Sequence, residues 1–444
     1  MDGFLEYFSS DLHPSVLRNF FHTLPLLFQS SYLPFWLFIL LPFVRFVLPT
    51  LVAWSMTVVR PRLFDQPVSR ALIVANPLVS VVVAAHNEAH GIAGALRSIL
   101  NCGYGNLEII LVDDGSTDGT AAVARNVAAG FGQSTSASWN KLRVFSSRRR
   151  NGKASALNIG LSMARGEYIV IMDADNEFQY GIVPAWLAGF TDDGVGAVVA
   201  NLRVANADTN LLTRLQDVEF SVNVLLWRMI AAKIGVLAIV SGGGAMFRAR
   251  ALRAAGGFDS GLGEDTDMTL RIIKMGWRPK FALDAIVWAN APTTLNGLIR
   301  QRVRWARNMV KIRLSKHSDT LSLFQPYGWQ MGFIAMHTLF IRTILVWAPL
   351  FGLIYLLISN PTHRPIFITG AYGVLVTWAA IKLMIVRDLA GTPTITRLAM
   401  IPLMPFYYTV LRLVSLWGIA VELTRLQTKH AYVPNHIWEE TPHW

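Results

Sequence analysis

Two carboxylates spaced two residues apart, Asp173 and Asp175, follow a short apolar run at residues 168–172. The run contains no turn residues, so it predicts a buried strand, and residues i and i+2 of a strand point to the same side. Two carboxylates at the mouth of a buried strand cost free energy unless a cation neutralises them. A hard divalent cation such as Mg²⁺ fits, because it binds one or two carboxylates together with substrate phosphates and water. An acidic turn is the alternative interpretation of this pair taken alone.

A second acidic pair, Glu264 and Asp265, lies where the sequence predicts the start of a helix. Acidic residues are favoured in a first helical turn by the helix macrodipole, so helix capping is one interpretation of the pair. The chemical interpretation is a general base, which removes the proton from an attacking hydroxyl group.

A third group of candidate residues, Gln301, Arg304 and Trp305, lies on a predicted helix that opens at Thr293 and Thr294. Their spacing of i, i+3 and i+4 places them on one helix face. Arginine can bind a diphosphate with two parallel hydrogen bonds, and tryptophan offers a flat apolar surface to a sugar ring. A basic amphipathic helix beside a membrane is the alternative interpretation.

The elements that must position these residues are predicted from periodicity between residues 78 and 200. Strands are expected at 78–85, 107–114, 141–146, 167–175 and 195–200, and helices at 89–100, 117–129 and 154–164. This alternation predicts an α/β domain with a mostly parallel sheet and helices on both faces. Ligands of such sheets bind beyond the carboxyl ends of the strands, where the acidic residues lie.

The turn after the first strand indicates a nucleotide site without a glycine-rich loop. A dinucleotide-binding Rossmann site needs G-x-G-x-x-G at this turn, whereas this chain has A-A-H-N-E. Glu88 and Asp114 follow the first and second strands. Carboxylates accept hydrogen bonds from ribose hydroxyls and base N–H groups, so these two predict a nucleoside held by hydrogen bonds.

The composition of the 444-residue chain indicates a membrane protein. Hydrophobic residues make up 53% and charged residues 15%, against about 25% charged for soluble domains. The net charge of +12 comes without a zinc-finger or RNA-binding signature, so we expect no nucleic-acid partner and assign the excess to cytoplasmic loops. Cys102 is the only cysteine, which is typical of a reducing compartment.

The uneven placement of apolar residues predicts five regions in a multi-pass protein of the plasma (inner) membrane. We expect a retained membrane anchor of one or two transmembrane helices at 1–70, a cytoplasmic α/β domain at 71–315, an interfacial helix at 316–328, three transmembrane helices at 329–425 and a tail at 426–444. A channel or transporter with a regulatory nucleotide-binding domain is the alternative from another functional class.

Seven motifs occur in a fixed order between residues 78 and 310: V-A-A-H-N-E, D-D-G-S, K-A-x-A-L-N, D-A-D, S-G-G-G-A-M-F-R, G-E-D and Q-R-V-R-W. As an ordered set, this stretch resembles the family 2 glycosyltransferases, specifically the membrane-embedded processive synthases of cellulose, chitin, hyaluronan and poly-N-acetylglucosamine. The resemblance implies an A-type glycosyltransferase fold inserted between N-terminal and C-terminal transmembrane helices.

The resemblance also implies a role for each candidate residue. Glu88 and Asp114 would bind uridine with Lys153 nearby, and Asp173 and Asp175 would hold UDP through Mg²⁺ or Mn²⁺. Asp265, beside Glu264, would be the catalytic base. Gln301 and Arg304 would contact the diphosphate, and Trp305 would stack on the acceptor sugar. The implied reaction is an inverting displacement that polymerises UDP-N-acetylglucosamine or UDP-glucose into a β-linked polysaccharide and translocates it across the bilayer. Its implied partners are the UDP-sugar donor, the growing polysaccharide, the lipid bilayer and accessory subunits of a secretion system.

The chain also departs from some of these synthases. It lacks an F-x-V-T-x-K motif, and Trp417-Gly418-Ile419 does not match the W-G-T-R box of hyaluronan synthases. These departures count against cellulose and hyaluronan and leave a chitin-like or poly-N-acetylglucosamine-like polymer, or an uncommon glucan. Transfer of a single sugar from a UDP-sugar to a membrane lipid is the alternative activity.

Overall fold

An eight-stranded sheet organises the computed structural model, which describes residues 70–132, 141–259, 263–322, 326–338, 345–390 and 394–424. The strands are β1 (Val79–Ala85), β2 (Leu107–Asp113), β3 (Leu142–Ser146), β4 (Tyr168–Asp173), β5 (Glu177–Phe178), β6 (Val195–Val204), β7 (Ala245–Arg248) and β8 (Arg278–Ala289). The expected tail at 426–444 and the expected anchor at 1–70, except residue 70, lie outside the described residues.

The helices alternate with these strands and then continue beyond them. They are α1 (Arg70–Ala75), α2 (Ile92–Leu100), α3 (Thr120–Gly132), α4 (Lys153–Met163), α5 (Ile182–Ala188), α6 (Leu211–Glu219), α7 (Leu226–Lys233), α8 (Ala249–Ala254), α9 (Glu264–Lys274), α10 (Leu295–Val310), α11 (Trp329–Met336), α12 (Ala348–Ser359), α13 (Arg364–Ala390), α14 (Thr394–Met400) and α15 (Met404–Thr424). The chain divides into two compact units. Of the described residues, one unit contains those within His337–Trp378, and the other contains the sheet, the remaining residues up to Met336 and those from Ala379 to Thr424.

The sheet has the strand order β3-β2-β1-β4-β7-β6-β8-β5 and is mixed, where the sequence predicts a mostly parallel one. Strands β1 to β4 pair in parallel, as expected. Strand β7 is antiparallel to both β4 and β6, β8 is parallel to β6, and β5 is antiparallel to β8. The prediction was wrong about the second half because no strand was predicted after residue 200, and four-residue β7 carries no pattern that specifies its direction.

Hydrophobic side chains alternate between the two faces of the sheet, so both faces are buried. On β1, Val81 and Val83 pack on one face with Leu96 of α2, whereas Val82 packs on the other with Leu157 of α4. A strand covered on both faces reads as a continuous apolar run, which is why β1, β2 and β4 could be predicted within one or two residues of their bounds.

The chain after the sheet contains two helices long and apolar enough to cross a membrane, judged by length and composition over the described residues: Pro361–Val386 and Ile395–Thr424. Within the region 329–425, where three transmembrane helices are expected, the described residues before Pro361 contain two shorter α-helices, α11 and α12. The region of the expected interfacial helix, 316–328, contains a 3₁₀ turn at Ser318–Leu321.

One close approach between a helix and the sheet gives a testable prediction about stability. A Cβ atom added to Gly160 of α4 would lie 2.3 Å from Cγ1 of Val82, whereas one added to Gly130 of α3 would meet nothing within 4 Å. Gly160→Ala should therefore overpack this contact and lower the free energy of unfolding by about 1–3 kcal/mol. Gly130→Ala, the matched control, should be neutral or stabilise by up to about 1 kcal/mol. Thermal unfolding of both variants in the same lipid or detergent checks this, and equal melting temperatures would contradict it.

Candidate active site

The loops after the first four strands lie side by side because those strands are in parallel register. Ala85 at the end of β1 pairs with Asp113 at the end of β2, and Asp113 pairs with Ser146 at the end of β3. On the other side of β1, Ala84 pairs with Asp173 at the end of β4. The predicted meeting of acidic strand ends at one sheet edge is therefore observed.

An ion-pair bridge joins three residues that lie far apart in the sequence. The Nζ atom of Lys153 lies 2.7 Å from Oδ1 of Asp173 and 2.8 Å from Oε1 of Glu264. Lys153 is the first residue of α4 and Glu264 the first residue of α9, so two helix N-termini meet the end of β4. Although burial acts to lower the pKa of Lys153, the two carboxylates hold that pKa above its ordinary value. The ammonium group is therefore charged at neutral pH.

The two adjacent acids at the start of α9 have opposite electrostatic character. Burial acts to raise the pKa of Glu264, but the ion pair with Lys153 outweighs it and lowers that pKa. Burial, and then the charge of Glu264, raise the pKa of Asp265. The Oδ2 atom of Asp265 lies 3.5 Å from the backbone N–H of Gly242. A carboxylate with a raised pKa is a stronger base, as a residue that accepts a proton requires.

The carboxylates after β1 and β4 fit the binding of a cation. Burial, and then the charges of Asp175, Asp173 and Asp118, raise the pKa of Glu88 to about 7. Desolvation and the charge of Asp173 likewise raise the pKa of Asp175. Acids that repel one another in this way favour a bound cation. No three His, Cys, Asp or Glu side chains form a metal cluster within the described residues, so Asp173 and Asp175 would need donor phosphates and water to complete a metal shell.

Asp114 holds the basic loop that follows β3. Its buried carboxylate accepts hydrogen bonds from the backbone N–H groups of Asn151 and Gly152, both at 2.7 Å. Gly115 lies against the same loop, where a Cβ atom would lie 2.6 Å from the carbonyl carbon of Arg149. Because Gly152 directly precedes α4, these contacts also fix the start of the helix that carries Lys153. Uridine binding by Asp114 stays a prediction, and loop positioning is the role that the structure shows.

Helix α10 begins after Thr294, whose side chain accepts a hydrogen bond from the Gly297 N–H at 3.2 Å, as the sequence predicts. Along the helix, Oε1 of Gln301 is buried and makes no hydrogen bond within the described residues. The positive charge of Arg304 reaches the carboxylates after β4 and at the start of α9, where it favours their ionised forms. Trp305 is 40% exposed. The helix therefore presents an unsatisfied acceptor, a cation and an accessible ring.

The site also contains two residues to which the sequence analysis assigns no role, Gly242 and Arg228. A Cβ atom at Gly242 would lie 3.2 Å from the Nζ atom of Lys153. Gly242 belongs to the motif S-G-G-G-A-M-F-R. A run of glycines can indicate a place where another group approaches the backbone closely, as Lys153 does here. Arg228 of α7 is the second group. Burial lowers its pKa to about 10, and the charge of Asp265 opposes that shift. Nothing in the local sequence distinguishes Arg228 from other helical arginines.

Residues 80–256, which carry β1 to β7, match the model of Glycosyl transferase family 2. The chain carries a family 2 glycosyltransferase domain. The match covers the strand ends with Glu88, Asp114, Lys153, Asp173 and Asp175, and α9 and α10 follow it in the sequence.

Curated relatives of this chain are glycosyltransferases of more than one kind. A probable glycosyltransferase, YdaM of Bacillus subtilis, is 33% identical over 52% of this chain and 55% of its own length. The poly-β-1,6-N-acetyl-D-glucosamine synthase of Staphylococcus epidermidis is 28% identical over 58% of this chain and 62% of its length. The β-monoglucosyldiacylglycerol synthase of a Nostoc species is 29% identical over 72% and 66%. The matches thus span 55–66% of the length of these relatives.

A solved structure supports the fold. The mannosyltransferase PcManGT of Pyrobaculum calidifontis, in complex with GDP-Man and Mn²⁺, superposes with a TM-score of 0.57 and 24% identity, covering 88% of this chain and 98% of its own. The mixed sheet flanked by helices is therefore consistent with the predicted A-type glycosyltransferase fold.

The raised pKa of Glu88 predicts a stability change with pH. An unperturbed glutamate titrates near 4.5 and folded Glu88 near 7, so between these values the folded state holds a proton that the unfolded state has lost. The free energy of unfolding should therefore fall as pH rises from about 4.5 to about 7 and then stop falling on this account. Glu88→Gln should remove this component, whereas Glu167→Gln, an exposed change at the other end of β4, should keep it. Denaturant unfolding across this pH range checks it, and identical pH profiles for wild type and Glu88→Gln would contradict it.

Proposed function

We propose that this chain transfers sugar from a UDP-sugar to an acceptor hydroxyl at the sheet edge described above. The observation that carries the proposal is the Lys153 bridge. Lys153 contacts Asp173, a carboxylate suited to a metal ion, and Glu264, which begins α9 and directly precedes the proposed base Asp265. A nucleotide-sugar transferase needs these two functions next to each other, one for the leaving diphosphate and one for the attacking hydroxyl.

The donor would be held by residues of both halves of the domain. Glu88 would accept hydrogen bonds from the nucleoside, with Asp114 shaping the same pocket through the loop that it holds. Lys153 and Arg304 would face the diphosphate, and the buried, unsatisfied Oε1 of Gln301 would accept a hydrogen bond from the donor. A Mg²⁺ or Mn²⁺ ion on Asp173 and Asp175, when bound, would neutralise charge on the diphosphate.

The chemical step would be a single displacement at the anomeric carbon. Asp265 takes the proton of the acceptor hydroxyl, whose oxygen forms the new bond to the anomeric carbon as the bond from that carbon to the diphosphate oxygen breaks. The departing electron pair remains on UDP, where Lys153 and Arg304 stabilise the charge. Attack from the face opposite to the diphosphate inverts the configuration and gives a β-linkage from an α-linked donor.

The acceptor would be a growing polysaccharide, which makes the chain a processive synthase. Trp305 supports this, since an accessible ring on the helix that carries Arg304 can stack on successive sugars without a fixed pattern of hydroxyl contacts. Helices α13 and α15 would anchor the domain in the plasma (inner) membrane with the donor site in the cytoplasm. The protein would also translocate the polymer across this membrane, with accessory subunits of a secretion system as further partners.

Transfer of one sugar to a membrane lipid is the second candidate function. It is favoured by the Nostoc glycolipid synthase, whose similarity extends over 72% of this chain, beyond the family match. The two functions share the donor site and differ in the acceptor.

Product analysis separates the two candidates. The purified protein in lipid vesicles should release UDP from one member of a panel of UDP-sugars in the presence of Mg²⁺ or Mn²⁺, and the product should be a polymer of that sugar by mass spectrometry. UDP-N-acetylglucosamine and UDP-glucose are the expected donors. A product carrying one sugar on a diacylglycerol would establish the second function, and no UDP release from any donor would contradict both.

Asp265→Asn should separate donor binding from transfer. The amide cannot accept the proton, so we expect turnover to fall by about 10²- to 10⁴-fold with UDP affinity retained. Asp173→Asn is the contrasting variant, because it should weaken metal-dependent UDP binding itself. Calorimetric UDP titration with and without Mn²⁺, alongside UDP release, checks both variants. Near wild-type turnover in Asp265→Asn would leave helix capping as the role of this residue.

A further inference from the structure

A buried ionic contact fixes α10 on the side that bears Arg302. The Nη2 atom of Arg302 lies 2.8 Å from Oε2 of Glu219, the last residue of α6. The hydroxyl of Tyr407 on α15 donates to the same oxygen at 2.7 Å. All three side chains are buried. Removing one member of a buried ion pair is costly because the other charge is left unpaired, so Arg302 has little freedom to move.

Arg302 is also the stacking partner of Trp305. Its guanidinium carbon lies 4.3 Å from the centroid of the Trp305 ring, within the range of a cation–π contact. Trp305 remains 40% exposed despite this contact. Arg302, which is paired with Glu219, therefore covers one part of the ring, and the exposed part is accessible to a ligand.

Helix α15 packs against α10 directly and sets its position. A Cβ atom at Gly418 of α15 would lie 2.8 Å from Cβ of Ala306 and 3.0 Å from the carbonyl oxygen of Val303, so only glycine allows this approach. A second ion pair, Arg307 with Glu422 at 2.7 Å, joins the same two helices and is partly buried. Arg307 is two residues beyond Trp305 and its pair does not include that ring.

We propose that Arg302 is a positioning residue that fixes the Trp305 ring for acceptor binding, and that Glu219 and Tyr407 hold Arg302 in place. The inference rests on the proposed function, in which Trp305 stacks on the acceptor sugar. It adds that the orientation of this ring is set from outside the donor site, by the end of α6 and by the apolar helix α15. An acceptor then meets a ring that is already oriented, which lowers the entropic cost of binding it.

The test measures the KM for the acceptor and the Kd for UDP in Arg302→Lys. It is done in vesicles with the UDP-sugar that the donor panel identifies. The acceptor would be a short oligosaccharide of the same sugar. Lysine keeps the charge beside Glu219 but lacks the planar group that stacks on Trp305. Loss of a cation–π contact predicts a rise of about three- to tenfold in the KM for the acceptor, with the Kd for UDP unchanged. Tyr407→Phe, which removes one hydrogen bond to Glu219 and keeps the ring, should shift the same KM less.

Glu422→Gln is the matched control, because it breaks the partly buried ion pair between α10 and α15 without changing Trp305 or Arg302. It should leave the acceptor KM of the folded fraction at the wild-type value. An unchanged acceptor KM in Arg302→Lys, or an equal rise in Glu422→Gln, would overturn the inference. If Arg302→Lys does not fold, the comparison of Tyr407→Phe with Glu422→Gln decides by the same criterion. A wild-type protein that releases no UDP would contradict the proposed function instead, so the two failures are distinguishable.

Discussion

The Lys153 ammonium between Asp173 and Glu264 is the interaction on which the site depends. Carboxylates from three directions meet at this sheet edge, and without a cation their mutual repulsion and desolvation would oppose the approach of α9 to β4. The bridge also separates the behaviour of adjacent acids, since it keeps Glu264 ionised. Burial, and then the charge on Glu264, raise the pKa of Asp265, whereas the charge of Lys153 acts directly to lower it. Lys153 thus assembles the site, and the basicity of Asp265 comes from burial and from Glu264.

Lys153 can reach both carboxylates only because the sheet fixes where α4 begins. Asp114 holds the backbone N–H groups of Asn151 and Gly152, so the residue that follows them has a defined position. The body of α4 lies close to β1 because Gly160 has no side chain at its contact with Val82. A buried carboxylate at one end and a glycine in the middle therefore orient the helix, and neither needs to contact a substrate to do so.

Local pattern was enough to predict strands β1 to β4, the start of α9 at Glu264 and the start of α10 after Thr294, because burial and capping leave a mark on neighbouring residues. It was not enough to predict the direction of β7 or the partners of Lys153 and Arg302. Arg302 and Glu219 are 83 residues apart, and no periodicity relates two such positions. The residues that do chemistry could be named from motifs, whereas the residues that position them depend on tertiary contacts and became visible only in the structure.

The geometry of α10 explains how one helix can serve a donor and an acceptor at the same time. Successive residues are turned by about 100°, so Arg302 and Arg304 are about 200° apart and point to nearly opposite sides. Arg304 acts on the carboxylates of the sheet edge, while Arg302 turns toward Glu219 and stacks on Trp305 three residues later. The spacing R-x-R-W therefore divides two arginines between two tasks. A shift of α10 along its axis would disturb both at once, which is a physical reason for the buried Arg302–Glu219 pair and for the close approach of Gly418.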